Sequence, residues 1–244
     1  MSLWVNKYKP TNTSEIIGQS RNVAQIKSWL RTFDAANSQP LFIYGPPGVG
    51  KTTAAHLCCK ECGYQTVEFN ASDQRNKNVI KEVISEVAST SRLCFTGRAS
   101  VQKDVIILDE IDGMSGHEDR GGIAQLLIEL KNTKKPMIFI CNDGQHQKLR
   151  TLRDKCTTFE FKRPDMAQIK ALVQKVASRE KLETSKINVE NLAHASDFDI
   201  RQIINSLSMF GHGNNAELAK TTRMNAFEAT RKALTAANLS IDSR

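Results

Sequence analysis

Short apolar runs recur along the first two thirds of the chain, and segments with helical spacing separate them. Five runs have the length of buried strands: 41–44 (LFIY), 66–69 (TVEF), 104–109 (DVIILD), 136–141 (PMIFIC) and 157–161 (TTFEF). Between them, apolar residues recur at helical intervals around 79–87 and 123–130. Strands that alternate with helices predict an α/β fold with a five-stranded parallel sheet covered by helices on both faces.

The strand-like runs stop after residue 162, and only helical patterns follow. Asp165 is a suitable N-cap for a helix that begins at Met166, and two further helical stretches cover 188–195 and 199–210. This change predicts a small helical lid domain behind the α/β domain. The predicted division is 1–162 for the nucleotide-binding α/β domain, 163–235 for the helical lid, and 236–244 for a polar end that starts a linker.

Composition narrows the class of protein only slightly. Lys and Arg total 34 against 26 acidic residues, a formal charge of +8, which favours a polyanionic partner although many proteins carry such charge without one. No apolar run approaches the ~20 residues that cross a bilayer, so no membrane role is predicted. The six cysteines lie mostly in apolar segments, as free thiols do in intracellular proteins, and the CCKEC cluster lacks the second pair of a zinc site.

The first apolar strand runs directly into a glycine-rich loop, GPPGVGKTT. The loop matches the pattern G-x-x-x-x-G-K-[ST] between a strand and a helix, which is the context of a phosphate-binding loop. Its backbone N–H groups would surround the phosphates, Lys51 would reach the β- and γ-phosphates, and Thr52 would ligate Mg²⁺. The predicted nucleotide-binding residues here are Gly45, Pro46, Pro47, Gly48, Val49, Gly50, Lys51, Thr52 and Thr53.

A second motif, VIILDEID, ends a buried strand with two neighbouring acids. Asp109 is predicted to hold the Mg²⁺ shell, and Glu110 to orient and deprotonate the attacking water. An acidic surface turn is the alternative, but four strongly apolar residues before the pair favour the catalytic interpretation. Kinases for small molecules need no water-activating Glu, so the motif favours hydrolysis over phosphoryl transfer.

Two further polar residues are candidates for the same site. Asn142 ends the next apolar strand, where its amide would sense the γ-phosphate, although an ordinary strand-end turn is an equal alternative. Arg201 lies at the start of a predicted lid helix, where its charge opposes the helix dipole and suggests a compensating anion. A solvent-exposed Arg is the alternative there.

The order of these parts resembles that of AAA+ ATPases, with GPPGVGKTT, DEID, Asn142 and Arg201 as Walker A, Walker B, sensor 1 and sensor 2. Three more segments are similar to boxes of the sliding-clamp loaders: LWVNKYKPTNTSEIIGQ, EFNASDQR and DEIDGMSGHEDRGG. The last of these is similar to the large subunit of eukaryotic replication factor C in particular. The resemblance covers residues 3 to about 235.

This resemblance implies ATP and Mg²⁺ as cofactors and an adenine pocket formed by Val5, Tyr8, Pro10, Ile16 and Ile17. It also implies that hydrolysis depends on an arginine finger from a neighbouring subunit. Small clamp-loader subunits carry Ser-Arg-Cys before the fifth strand, where this chain has Asp154-Lys155-Cys156. Lys155 keeps the charge but lacks the planar fork of a guanidinium, so this subunit is predicted to offer no finger in return.

Two predicted contact surfaces lie between the second and third strands. Arg75, Asn78 and Lys81 form an inclined row on a predicted helix that would suit a phosphate strand, whereas a solvated helix face is the alternative. The resemblance implies that this row contacts primer–template DNA. Leu93, Cys94 and Phe95 are apolar residues in a polar loop. The resemblance implies that they contact the sliding clamp, although they would equally suit this domain's own core.

The resemblance therefore implies an ATP-dependent clamp-loader subunit that acts in a hetero-pentamer with small subunits, a sliding clamp and primer–template DNA. The alternatives are another AAA+ ATPase of DNA repair or recombination, and a nucleotide-binding scaffold whose ATP is structural. A nuclear location is implied by the resemblance alone. Because no collar domain follows the lid, we expect the sequence to be part of a longer polypeptide.

Overall fold

A computed structural model describes residues 3–70, 103–115, 135–183 and 187–211. The chain divides into two compact units: Pro10–Lys162 forms one, and Met1–Lys9 groups with Arg163–Arg244 in the other. The helices predicted around 79–87 and 123–130 lie outside the described residues. Within the described ranges, no helix is both long and apolar enough to span a membrane.

The first unit contains the predicted five-stranded parallel sheet. Its strands are β1 (Leu41–Tyr44), β2 (Tyr64–Asn70), β3 (Lys103–Asp109), β4 (Met137–Cys141) and β5 (Thr157–Glu160). They lie in the order β2-β3-β4-β1-β5, and every pair is parallel. The described helices of this unit are α2 (Ser20–Arg31), α3 (Lys51–Glu61) and the short α4 (Arg150–Arg153), with 3₁₀ turns at Thr13–Glu15, Ile111–Ser115 and Gln147–Leu149.

The central strands are apolar on both faces because both faces of the sheet are covered. Successive residues of a strand point to opposite faces, so Leu41 and Ile43 belong to one buried cluster and Phe42 belongs to the other. Residues of α2 and α3 complete the first cluster, and Leu149 and Leu152 belong to the second. This two-sided burial explains why β1, β3 and β4 read as unbroken apolar runs.

Cysteines contribute to both buried clusters. The described thiols are free, and four of them are buried: Cys58, Cys59, Cys141 and Cys156. Burial raises the pKa of each of these four thiols to about 12. The four side chains are therefore protonated near neutral pH and behave as small apolar groups in the core.

The second unit is helical and includes the start of the chain. It consists of α1 (Trp4–Lys7), α5 (Met166–Glu180), α6 (Val189–Ala195) and α7 (Ile200–Gly211). The predicted N-cap of α5 is confirmed: Asp165 accepts a hydrogen bond from the backbone N–H of Gln168, and the Gln168 side chain accepts one from the backbone N–H of Asp165.

Contacts of α1 explain why the first residues group with this unit. The Tyr8 hydroxyl donates a hydrogen bond to Glu180, and the Lys7 ammonium lies 2.5 Å from the same carboxylate. Burial, with the Glu180 contact second, raises the pKa of Tyr8 to about 12. A Cβ added at Gly211 would lie 2.9 Å from the Trp4 ring, so the end of α7 needs glycine to accommodate that ring.

Candidate nucleotide-binding and hydrolysis site

The predicted phosphate and metal residues and one predicted sensor, Asn142, gather at one edge of the sheet. Strands β3, β4 and β1 are neighbours, and because they are parallel their carboxyl ends share an edge. The glycine-rich loop follows β1, Asp109 ends β3, and Asn142 follows β4. Ligands of open α/β sheets bind at this edge.

The conformation of the loop explains its glycines. Gly45, Gly48 and Gly50 have φ angles of 147°, 71° and 90°, which residues with a side chain adopt at a cost in energy. A Cβ at Gly45 would also lie 2.1 Å from the carbonyl oxygen of Phe161, which is far inside van der Waals contact. The loop therefore follows a path that only glycine permits at Gly45, and α3 begins directly after it.

Lys51, the first residue of α3, is turned into the loop and is only 7% exposed. Its ammonium donates hydrogen bonds to the carbonyl oxygens of Gly45 (2.7 Å) and Pro46 (2.9 Å) and to Oδ1 of Asn142 (2.8 Å). These three acceptors are neutral, so they solvate the positive charge without cancelling it. A phosphate group above the loop would meet an oriented cation whose position is already fixed.

The next residue of α3 contacts the end of β3. The Thr52 hydroxyl donates to Oδ2 of Asp109 at 2.6 Å, and Oδ1 of Asp109 accepts from the backbone N–H of Glu110 at 2.8 Å. A hydroxyl and a carboxylate in direct contact suit Mg²⁺, which takes hard oxygen ligands and binds proteins through one or two carboxylates together with substrate phosphates. The residues present therefore fit the predicted metal position.

Glu110 follows Asp109 at a bend in the backbone. Its φ angle of 55° is in the left-handed region, so the chain turns sharply after β3. The Glu110 carboxylate accepts a hydrogen bond from Nδ2 of Asn70 at 3.1 Å. Such backbone strain in a residue that follows a buried strand is a recurrent property of catalytic positions.

Asn70 was not assigned a role from the sequence, although a signal for it was present. It is the last residue of β2 and is the register partner of Asp109. A polar side chain at the carboxyl end of another parallel strand must lie at the same edge as the acids. The structure adds this residue to the site because it contacts the predicted general base.

The turn after β4 is also fixed by contacts that the sequence did not reveal. The backbone N–H of Asn142 donates to Oδ2 of Asp112 at 3.1 Å, which ties this turn to the 3₁₀ turn after β3. A Cβ at Gly144 would lie 2.3 Å from the Tyr44 ring, so the turn packs tightly on the last residue of β1. Both contacts hold the Asn142 amide beside Lys51.

The residues predicted for the adenine pocket belong to two different units. Ile16 is buried beside the phosphate loop, and a Cβ at Gly50 would lie 3.9 Å from its Cγ2. Pro10 and Ile17 are half-buried in the same unit. Val5 and Tyr8 belong to the helical unit, where α1 is attached to α5.

Arg201 also belongs to the helical unit and is exposed near the start of α7. Asp199 caps this helix, since its carboxylate accepts from the backbone N–H of Gln202 at 3.0 Å. A negative charge therefore already compensates the helix dipole, so the position of Arg201 in the helix does not by itself indicate a bound anion. The sensor role of Arg201 depends on the resemblance.

The segment aligned with the arginine finger is described in the sheet unit. Lys155 and Asp154 are exposed, whereas Cys156 is buried in the core beneath them. The predicted DNA-facing and clamp-facing residues all lie outside the described residues: Arg75, Asn78, Lys81, Leu93, Cys94 and Phe95.

Comparison with known proteins agrees with this geometry. Residues 41–163 match the ATPase family associated with various cellular activities (AAA), and residues 166–217 match the RFC1-like AAA+ ATPase lid domain. The chain therefore belongs to the AAA ATPase family, with a phosphate-loop domain followed by an AAA+ lid.

Several known proteins are similar to this chain over most of its length. The chain is 36% identical to Replication factor C subunit 1 of Drosophila melanogaster over 96% of its own length and 27% of the fly protein. It is 34% identical to Replication factor C subunit 1 of Homo sapiens, over 96% of this chain and 24% of the human protein. It is 33% identical to Replication factor C large subunit of Methanococcus maripaludis, over 89% of this chain and 44% of the archaeal protein. The chain thus spans about a quarter of the two animal relatives and less than half of the archaeal one.

Proposed function

We propose that this chain binds Mg·ATP at the edge formed by β1, β4 and β3 and hydrolyses it. The main support for the proposal is that two neighbouring residues of α3 contact residues at the ends of two different strands. Lys51 contacts Asn142 after β4, and Thr52 contacts Asp109 at the end of β3. The phosphate loop, the metal ligands and the polar sensor are therefore assembled by contacts within one unit.

Each of these side chains has a distinct task in hydrolysis. Backbone N–H groups of the loop and the Lys51 ammonium bind the β- and γ-phosphates. Thr52 and Asp109 would hold Mg²⁺, which would supply positive charge to the phosphate oxygens. Glu110 accepts a proton from the water that attacks the γ-phosphorus, and ADP leaves as the bond to its β-phosphate oxygen breaks. Asn142 orients that water and the γ-phosphate.

Asn70 is the residue that positions Glu110 for this task. Its amide donates to the carboxylate, which fixes the orientation of the side chain. This contact also favours hydrolysis over a purely structural role for ATP. A scaffold that never turns ATP over has no need for an oriented carboxylate at the end of β3.

We further propose that a neighbouring subunit completes the site with an arginine finger and that this chain supplies none to its own neighbour. The exposed residue at the finger position is Lys155, whose ammonium cannot make the bidentate contact of a guanidinium with a phosphoryl group. Such a one-sided arrangement suits a subunit at the end of an open ring.

The biological role that these features support best is clamp loading. The relatives are subunits of replication factor C, and the lid matches the RFC1-like type. In this proposal ATP binding closes a hetero-pentamer with small subunits, opens a sliding clamp and grips primer–template DNA in the nucleus. Hydrolysis then releases both. Leu93, Cys94 and Phe95 are the proposed clamp contacts, and Arg75, Asn78 and Lys81 are the proposed DNA contacts.

Binding to primed DNA tests this role. The chain is assembled with small subunits and a clamp in a non-hydrolysable ATP analogue, and DNA affinity is measured between 50 and about 200 mM salt, the range over which phosphate contacts weaken strongly. Replacing Arg75 and Lys81 by Ala is expected to weaken binding about tenfold and to lower the slope of log affinity against log salt by about 2, because each cation neutralises one phosphate.

The matched control removes the same two charges elsewhere. Lys175 and Arg179 are exposed on α5, and their replacement by Ala is expected to leave DNA affinity and slope unchanged. Wild-type affinity and slope in the Arg75 and Lys81 variant would refute the proposed DNA contacts. Failure of the wild-type chain to bind primed DNA in any assembly would refute the clamp-loading role.

A further inference from the structure

Three charged and polar side chains join distant parts of the sheet unit. The Glu61 carboxylate accepts from the backbone N–H of Thr13 at 2.7 Å through Oε1 and from the Thr13 hydroxyl at 2.9 Å through Oε2. The Lys27 ammonium donates to the Thr13 hydroxyl at 2.6 Å and lies 2.5 Å from Oε2 of Glu61. We call these three residues, Thr13, Lys27 and Glu61, the clasp.

The three side chains of the clasp bond to one another, and the Glu61 carboxylate is ionised near neutral pH. The Thr13 hydroxyl donates once and accepts once, so its single donor is used. Hydrogen bonds from Lys27, and then from the backbone of Thr13, lower the pKa of Glu61 to about 2. The Glu61 carboxylate therefore does not leave the clasp by protonation near neutral pH.

The clasp connects the chain before Ile16 to the helix that starts at the phosphate loop. Glu61 is the last residue of α3, and Lys51 is its first. Thr13 begins the 3₁₀ turn Thr13–Glu15, which leads directly to Ile16 and Ile17. Because a helix is stiff along its axis, holding Thr13 at one end of α3 fixes the segment relative to the loop at the other end.

A second anchor holds the same segment on its other side. The Gln19 side chain is only 2% exposed, and its Nε2 donates to the carbonyl oxygen of Lys162 at 2.7 Å. Only residues 14–18 lie between this anchor and Thr13. Within that span Ile16 lies against the loop at Gly50, and Ile17 keeps part of its side chain accessible.

We propose that the clasp positions the surface that receives the nucleotide base, so that it governs affinity for the base and not for the phosphates. This inference rests on the proposed binding of Mg·ATP. The phosphates contact the loop and α3, whose conformation depends on Gly45, Gly50 and the core. The base would meet the segment around Ile16 and Ile17, whose placement depends on contacts at Thr13 and Gln19. Thr13, Lys27 and Glu61 are positioning residues, since they act through Ile16 and Ile17.

Two probes that differ only in the nucleoside separate these contributions. Calorimetric titration of the chain with Mg·ATP and with magnesium tripolyphosphate gives a ratio of dissociation constants. Glu61→Ala is expected to weaken Mg·ATP binding about tenfold, equivalent to about 1.4 kcal/mol, and to change tripolyphosphate binding less than about twofold. Thr13→Val keeps the side-chain shape and the backbone N–H but removes the hydroxyl. We expect the affinity for Mg·ATP to fall about threefold and the affinity for tripolyphosphate not to fall.

Asp104→Asn is the matched control. Asp104 pairs with Lys135 at 2.8 Å in the same unit, and both side chains are more buried than Glu61. Asp104 lies near the start of β3, at the sheet edge opposite the site. Its replacement should therefore leave the ratio of the two dissociation constants unchanged. Equal weakening of both probes by Glu61→Ala and Thr13→Val, or no weakening of either, would overturn the clasp proposal alone. A wild-type chain that binds neither probe would instead overturn the proposed function together with this inference.

Discussion

Glu110→Gln is expected to lower ATP hydrolysis by about 10²- to 10³-fold while Mg·ATP affinity stays within about twofold of wild type, because general-base catalysis typically contributes 10²–10⁴-fold. Gln has the shape of Glu, and its amide oxygen still accepts the hydrogen bond that Asn70 donates. The left-handed turn at residue 110 is kept as well. What is lost is the carboxylate that is proposed to take the proton from the attacking water.

Single-turnover hydrolysis in the assembled complex, together with equilibrium binding of Mg·ATP, measures these two quantities separately. Asp143→Asn is the control, since Asp143 is exposed on the turn after Asn142 and its carboxylate accepts from the backbone N–H of Gln145 at 2.9 Å. We expect the control variant to hydrolyse ATP at the wild-type rate. A Glu110→Gln protein with an undiminished rate would exclude Glu110 as the general base.

Lys51→Ala is expected to have the largest effect on binding itself. Removal of the ammonium leaves the carbonyl oxygens of Gly45 and Pro46 and the amide of Asn142 without the donor that now joins them. It also removes the cation that is proposed to contact the β- and γ-phosphates. Hydrogen bonds to charged groups contribute about 1.5–3 kcal/mol each, so a loss of about 100-fold or more in Mg·ATP affinity follows.

Equilibrium titration with Mg·ATP tests this expectation. Lys60→Ala is the control because Lys60 is exposed near the other end of the same helix. Its replacement removes the same charge from α3 without touching the loop, and wild-type affinity is expected. If the Lys51 variant bound Mg·ATP as tightly as the control, the assignment of the phosphate site to this loop would be untenable.

The sheet and the phosphate site were predictable because their signals are local. The run LFIY is a buried strand, and the residues after it require the φ angles that glycine adopts. Asp165 as a helix cap is equally local, since the hydrogen bond spans three residues. The carboxyl ends of neighbouring parallel strands meet at one edge by geometry alone, so the strand pattern suffices to bring Asp109, Glu110 and Asn142 together.

Contacts between residues far apart in the sequence were not predictable in this way. The strand pattern alone places Asn70 at the same edge as the acids, but not its contact with Glu110, which spans 40 positions, and the contact of Thr13 with Glu61 spans 48. Tyr8 reaches Glu180 across 172 positions, so the first turn of the chain groups with the helical unit although the sequence order places it before the sheet. Each of these contacts depends on the packing of several elements, and no periodicity or motif of a single segment encodes it.

To test most directly whether two subunits share the site, ATP hydrolysis by the chain alone is compared with hydrolysis by the chain beside its neighbour. ATP turnover is measured for the monomer, for the chain with the adjoining small subunit, and for the same pair with the finger Arg of that subunit replaced by Ala. Because an arginine finger contributes about 10³–10⁵-fold, we expect slow turnover for the monomer, a rise of about 10³-fold or more in the intact pair, and a return to the slow rate in the variant pair. A monomer as fast as the intact pair, or a pair indifferent to that Arg, would contradict a site that two subunits share.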